Sequence, residues 1–311
     1  MIIKKNFNPF KIWSYIRIEL SILFLYTIFI WLLYFIYQIK NITLPFLPIS
    51  IIASALAIFL AFRNNTAYNR WWEARSIWAN ILSSSRVLAR LVITFADSHS
   101  KQPNYNLERS SLFKKEMIYL IIIWSKSLNF TLRNNENYES LKFNMTKSDF
   151  ERLLLSKNKT NFITYRLGEK IYEAMGEGIL GGFDSFQMEG QLFNLTNYQS
   201  NVEKIKHTPL LRQYDYFTRV FLTIFGFLLP HSLLSIFTYE SSYLILPLSF
   251  LILGIYIIME KTGAVNEDPF ENKITDVPMD SICNTIEIEL LNMLGEKNLP
   301  EKIKVKNGYL F

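Results

Sequence analysis

Residues 41–62 read NITLPFLPISIIASALAIFLAF, and residues 63–75 continue as RNNTAYNRWWEAR. The first stretch holds 22 residues without a charge, and the second opens on an arginine. A bilayer core about 30 Å thick is crossed by roughly 20 apolar helical residues, so the uncharged stretch is long enough to span. Pro45 and Pro48 stand at its start, where proline suits a helix N-terminus.

Three further stretches share this property. Leu20 to Ile39 is 20 residues without a charge, Val220 to Tyr239 is 20 with histidine counted neutral, and Ser241 to Met259 is 19. Twelve Leu, Ile and Phe residues lie between Leu20 and Tyr37. On the membrane-insertion scale they contribute about −4 to −7 kcal/mol. The first stretch is too long for the apolar region of a signal peptide, and Gln38-Ile39-Lys40-Asn41 after it fits no cleavage site. The pattern predicts four membrane helices in two close pairs.

Basic residues orient them. Lys4, Lys5, Lys11 and Arg17 precede the first span, and only Lys40 separates it from the second. Arg63, Arg70, Arg75, Arg86 and Arg90 follow the second, Glu240 alone is charged between the third and fourth, and Lys261 follows the fourth. The expectation is a multi-pass protein of the cell (inner) membrane with both termini and the long middle segment in the cytoplasm. The corresponding division is 1–62 (first two spans), 63–216 (cytoplasmic helical region), 217–260 (last two spans) and 261–311 (cytoplasmic C-terminal segment).

The middle segment reads as helical. Met117 to Trp124 is eight apolar residues, too short to span, and fits the buried side of a cytoplasmic helix. Ile77–Phe95 and Lys170–Met175 mix polar and apolar residues at helical spacing, while Asp97–Asn106 and Asn134–Lys159 read as loops. The fold class is therefore all-α, a membrane layer continuous with a cytoplasmic helical layer.

Several chemistries lack their residues. The chain has 311 residues, 19% charged, with a net charge of +6, well short of a dedicated nucleic-acid binder. One cysteine, Cys283, excludes an intrachain disulfide, and His99, His207 and His231 share no metal-ligand spacing, so no metal or other cofactor is expected. Gly176-Glu177-Gly178 and Gly181-Gly182 lack the Gly-Lys-Ser/Thr of a phosphate loop and read as a helix break or a close helix approach. No nucleophile and base are arranged as a catalytic pair, and the protein is not expected to be an enzyme. An intramembrane enzyme would have to rely on His231, beside Pro230 near the middle of the third span. A scaffold without transport activity is the other alternative.

Ser54, Ile58 and Phe62 recur at four-residue spacing and share one face of the second span, which runs on into Asn64, Asn65, Thr66 and Asn69. Such a face can pack against lipid or neighbouring helices. In a ring of identical subunits it can instead line an axis, with Ile and Phe forming an apolar constriction and the Asn amides offering dipoles below it.

The run from Phe62 to Arg75, with Trp78, resembles the signature of the bestrophin family in its bacterial branch. Thr208-Pro209, Glu267-Asp268-Pro269-Phe270, Asp276-Val277-Pro278-Met279-Asp280 and Ile286 to Leu291 continue the likeness, which covers about Phe10 to Pro300. The resemblance implies a homopentameric ion channel around one central pore, with four membrane helices per subunit. It implies a pore neck at Ser54, Ile58 and Phe62, where Ser54 departs from the usual large apolar residue, and Asn65 and Asn69 below the neck. It also implies a second, cytoplasmic constriction, for which Leu192 is the candidate and loop lengths also allow Phe186 or Met188. The partners implied are monovalent ions, membrane lipid and further copies of the chain. Eukaryotic members are calcium-activated chloride channels, whereas some bacterial members pass monovalent cations. The expectation here leans to cations, with chloride close behind.

The eukaryotic calcium clasp uses an acidic run after the fourth span. Glu271-Asn272-Lys273-Ile274-Thr275-Asp276 stands there in this chain, with a lysine and few acids. Calcium takes six to eight oxygen ligands. Isothermal titration of the purified protein is expected to give no stoichiometric micromolar calcium binding; a one-to-one heat signal in that range would contradict this.

Overall fold

The computed structural model describes residues 1–4, 9–103 and 105–311. Lys5, counted above for orientation, and Asn104, inside the first expected loop, lie outside the described residues. The helices are α1 (Pro9–Phe35), α2 (Phe46–Phe95), α3 (Leu107–Leu132), α4 (Lys147–Leu155), α5 (Lys159–Gly176), α6 (Gly182–His207), α7 (Arg212–Leu233), α8 (Ile245–Asn266) and α9 (Met279–Leu294). Among the described residues, β-structure is limited to isolated bridges that pair Tyr309 with Ile2 and with Lys306. Four helical segments are long and apolar enough to cross a membrane: Trp13–Phe35, Lys40–Phe95, Gly182–Leu233 and Ser242–Asn266.

The chain forms two compact units. One comprises Lys4–Trp71 and Pro209–Asp268; the other comprises Met1–Ile3, Trp72–Thr208 and Pro269–Phe311. The 50-residue α2 contributes its first half to one and its second half to the other.

In the first unit, α8 packs on α1 and α7, and α1 packs on α7. Helices suit this apolar setting because each satisfies its backbone hydrogen bonds internally. Leu20, Leu60, Phe225, Leu253 and Ile257 are buried between them, whereas Ile18, Leu25, Ile51 and Leu251 point outward from the protomer. Gly226 permits the α1–α7 approach: a Cβ there would lie 2.7 Å from Leu23 Cδ1. α2 joins this core through side chains. Leu56 and Leu60 are buried in it, Tyr256 Oη donates to the Ala53 carbonyl at 3.0 Å, and Phe59 meets Phe221 edge-on at 6.0 Å between centroids. Pro45 precedes α2 and Pro48 occupies its first turn, where the missing N–H breaks no helical bond.

In the second unit α3 is central. Residues 117–124 are buried except for Tyr119, so this segment is apolar nearly all round rather than along one stripe. α5 and α9 pack on it, and α6 packs on α5. The helix starts are capped as expected from residue type. Asn106 Oδ1 accepts from the amides of Glu108 at 2.9 Å and Arg109 at 3.2 Å, and Asn158 Oδ1 accepts from Asn161 N at 2.9 Å.

Three expectations need correction. The first helix ends at Phe35, so Ile36 to Ile39 lie beyond it; Gln38 takes a positive φ that ends the helix. The segment 134–159 is not only loop: it contains a short 3-10 helix at Tyr138–Asn144 and α4. There Thr146 Oγ1 accepts from Asp149 N at 3.2 Å, and Phe150 and Leu153 are buried, an apolar pair hidden in a polar sequence. The third uncharged run overshoots its helix, since α7 ends at Leu233 and Leu234 to Tyr239 lie beyond it; the break read at the glycines is present, with Gly178 at φ of +74° and Gly181 as the N-cap of α6.

Candidate pore-lining site

Ser54, Ile58, Phe62, Asn65 and Asn69 are all exposed in the protomer and share one face of α2. Ile58 is 57% and Phe62 is 68% exposed. At 3.6 residues per turn, Leu56, Leu60, Arg63 and Ala67 fall on a different face, and all four are buried. The small polar side chains near the exposed face bond to their own helix. Ser54 Oγ donates to the Ser50 carbonyl at 2.9 Å, and Thr66 Oγ1 donates to the Phe62 carbonyl at 2.9 Å. The exposed stripe from Ile51 to Asn69 is therefore uncharged. Asn64 is not part of it: its Oδ1 is buried without a hydrogen bond, against Gly263 of α8, where a Cβ would collide with it.

The rotation of α2 is set by Arg63. This side chain is buried, follows Phe62 directly, and reaches α7 and the end of α8. Its Nη1 donates to Glu260 Oε1 at 3.0 Å, its Nη2 donates to Asp215, and Glu267 Oε2 lies 3.9 Å away. Glu260 is itself buried. Its second oxygen stands 3.4 Å from Lys261 Nζ, close enough for an ion pair but without hydrogen-bond geometry. Lys261 also donates to Glu19 of α1 at 2.5 Å, and Asp215 accepts from Arg219. Turning α2 about its axis by one residue's worth, 100°, would pull the guanidinium out of this set and leave carboxylates buried and unpaired.

Neither Asp215 nor Glu260 was apparent as a partner from the sequence. A signal was present: Arg63 and Glu260 are the first charges after two uncharged runs of 22 and 19 residues, so the ends of the second and fourth spans carry opposite signs. Glu267, Asp268 and Asp280 all pair with arginines. Glu267 faces Arg63 and Arg212, Asp268 lies 3.7 Å from Arg70, and Asp280 accepts from Arg133 at 2.5 Å and from Asn129 at 2.7 Å.

The other singled-out residues are placed as follows. Leu192 on α6 is only 4% exposed and Met188 is fully buried, whereas Phe186 is 74% exposed. His231 stands in the last turn of α7, not at mid-span, because that helix ends at Leu233. Its Nδ1 lies 2.6 Å from the Ile42 carbonyl, which can only accept, so Nδ1 carries the proton. Nε2 then accepts from Tyr26 Oη at 2.8 Å. Both ring nitrogens are engaged in tying α1, the 40–44 loop and α7 together. His99 Nε2 pairs with Asp184 at 2.7 Å. The Cys283 thiol is buried and its pKa is pushed up to about 12 by desolvation, which leaves it a poor nucleophile. Among the described residues, no three His, Cys, Asp or Glu side chains group as metal ligands.

A family profile described as bacterial/fungal bestrophin protein matches residues 10–292. The voltage-dependent anion channel-forming protein YneE of Escherichia coli (strain K12) is 30% identical over 263 residues, 84% of this chain and 81% of that one. The protein of the same name in Salmonella typhi is 28% identical over 266 residues, 86% and 82% of the two chains. The crystal structure of a bacterial bestrophin homolog from Klebsiella pneumoniae superposes with a TM-score of 0.81 at 26% identity, covering 91% of this chain and all of that one.

The Arg63 cluster makes a stability prediction. Arg63→Met strands Glu260 without its strongest partner and is expected to cost about 3–5 kcal/mol, seen as a lower unfolding temperature of detergent-purified protein. Adding Glu260→Leu removes the stranded charge and is expected to recover a substantial part; no recovery would mean that Arg63 acts through packing alone.

Proposed function

The chain belongs to the bacterial and fungal bestrophin family, and on that premise we propose that it forms a passive channel for small monovalent ions. In this reading five identical chains surround one axis, and α2 of each turns its exposed face inward. The observation that carries the reading is that face itself: Ser54, Ile58, Phe62, Asn65 and Asn69 are exposed and uncharged on a helix whose opposite side is locked by a buried ion-pair cluster.

The physical argument is short. An ion entering hydrocarbon faces a Born cost of tens of kcal/mol, and a pore lowers it by keeping water or dipoles alongside. Rings of Ile58 and Phe62 form a neck that closes by drying, without any side chain plugging it. Ser54, smaller and bonded to its own backbone, makes a wider outer ring. Asn65 and Asn69 supply amide dipoles below. For the cytoplasmic constriction we favour Phe186 over Leu192, since a side chain that lines an opening shared by several subunits has to be exposed in the single protomer.

We further propose the topology expected from the basic flanks: a cell-membrane protein with four spans, both termini and residues 63–216 in the cytoplasm, and no enzymatic activity. For ion sign, the uncharged neck discriminates little. The lean to cations rests on the likeness to the bacterial branch of the family. The second reading, an anion channel passing chloride, is supported by the names of the relatives in Escherichia coli and Salmonella.

Planar-bilayer recordings test both parts. Ile58→Ala with Phe62→Ala is expected to raise conductance; a neck barrier lower by about 1 kcal/mol gives about a fivefold increase. Unchanged conductance in a folded pentamer would move the gate elsewhere. In asymmetric potassium chloride, reversal towards the potassium equilibrium potential supports the cation reading, and reversal towards that of chloride overturns it in favour of the second.

A further inference from the structure

In the second unit the start of α6 is gripped by the end of α2. Asp184 is the third residue of α6, and its Oδ2 accepts from Gly181 N at 2.9 Å, the reach-back bond of a capping box. The same oxygen stands 2.7 Å from Nε2 of His99, in the turn that follows α2. The imidazole lies so close to Gly181 that a Cβ there would sit 3.0 Å from Nε2 and 3.2 Å from Cε1. Phe95, the last residue of α2, meets Phe183 with 6.5 Å between ring centroids. Phe186, favoured above for the cytoplasmic constriction, follows Asp184 by two positions, on the opposite side of the helix, and is exposed.

The partners set the proton positions. A carboxylate only accepts, so His99 Nε2 carries a proton whatever the charge of the ring. Nδ1 lies 3.1 Å from Gln102 Nε2, which only donates, so Nδ1 accepts there and the ring is neutral. A second proton, on Nδ1, requires Gln102 to turn its amide and offer the oxygen instead. The bond to Asp184 then becomes charge-assisted, roughly twice as strong. Imidazole is the side chain whose charge ordinarily changes between about pH 5 and 8. Asp184 is the acid that α6 presents to it. On its own turn, Asp97 is taken by Lys114 of α3 and by Tyr105 Oη at 3.0 Å, and Lys101 is exposed.

We propose that His99 and Asp184 are positioning residues for the cytoplasmic constriction: they hold the first turn of α6, and Phe186 with it, and they hold it more firmly as the cytoplasm acidifies. A ring fixed on a firm helix start narrows an opening steadily, whereas a frayed first turn lets it swing aside. Acidification therefore lowers conductance. The effect on conductance rests on the channel reading with Phe186 at the constriction; the grip on α6 does not.

Hydrogen exchange of the full-length protein in detergent tests the grip, with rates at the amides of Ser185 to Met188 divided by the intrinsic rate at each pH. Protection is expected to be about fivefold greater at about pH 5.5 than at about pH 8, the ratio between a charged and a neutral hydrogen bond. His99→Ala is expected to lower protection at both values. His99→Gln, which keeps an N–H for Asp184 but cannot titrate, is expected to keep protection and lose its pH dependence. Protection unaffected by pH, or a dependence that survives His99→Gln, would overturn the grip. In planar bilayers, conductance of the unaltered protein is expected to fall about twofold or more over the same pH change, and to stay level in His99→Gln and in Phe186→Ala. Protection that follows pH while conductance does not would overturn the link to the constriction. Absence of any ion flux would sink the channel reading and leave the grip to stand on the exchange data.

Discussion

Arg63 is a guanidinium buried in an otherwise apolar helical unit, and such a charge persists only where carboxylates meet it. Asp215 at the start of α7, and Glu260 and Glu267 at the end of α8, provide them. The pairing fixes more than an energy. It fixes which way α2 faces, because a helix can offer Arg63 to those acids in only one rotational setting. Everything on the other side of α2 is then presented outward by default, including Ile58 and Phe62. Leu56, Leu60 and Ala67 reinforce the same setting through packing, and the close approach of Asn64 to Gly263 holds the two backbones near each other.

The sequence makes the membrane helices legible because a run without charges is a one-dimensional signal. Uncharged length alone located all four, including the proline-marked start of α2. It did not locate the end of α1, since Ile36 to Ile39 are apolar but lie past the turn at Gln38. The stripe on α2 was also legible, because helical periodicity places Ser54, Ile58, Phe62, Asn65 and Asn69 on one side whatever they face. Arg63's partners were not, since the pairing joins residues 152 and 197 positions apart. α4 escaped notice because its two buried residues are outnumbered by charges. Leu192 is buried in the protomer, and loop length cannot report which side of its helix a residue takes.

The second unit shows a different economy of polar groups. α3 is buried nearly all round between residues 117 and 124, yet Ser125, Ser127 and Asn129 follow at once and are also buried. They are accommodated by local bonds: Ser125 Oγ donates to the Ile122 carbonyl at 2.8 Å, and Ser127 Oγ meets Thr160 Oγ1 at 3.1 Å. Trp124 donates its indole N–H to Thr164 at 2.8 Å. This unit is thus a hydrogen-bonded helical core. It also carries ion pairs such as Lys126–Glu287 at 2.6 Å and Arg86–Glu289 at 2.6 Å.

The sequence separation inside the Arg63 cluster also has a temporal meaning. A ribosome adding about 5–20 residues per second reaches Glu260 roughly 10–40 s after Arg63. Asp215, 152 positions on, is made after about 8–30 s of that interval; until then the nascent α2 carries a cation with none of its three acids, and the arginine's long stem can keep its head group at the lipid surface. The helix is free to spin about its axis until the last two spans are made. Its final orientation is therefore a late event in biogenesis, decided when translation of the distal half delivers the acids.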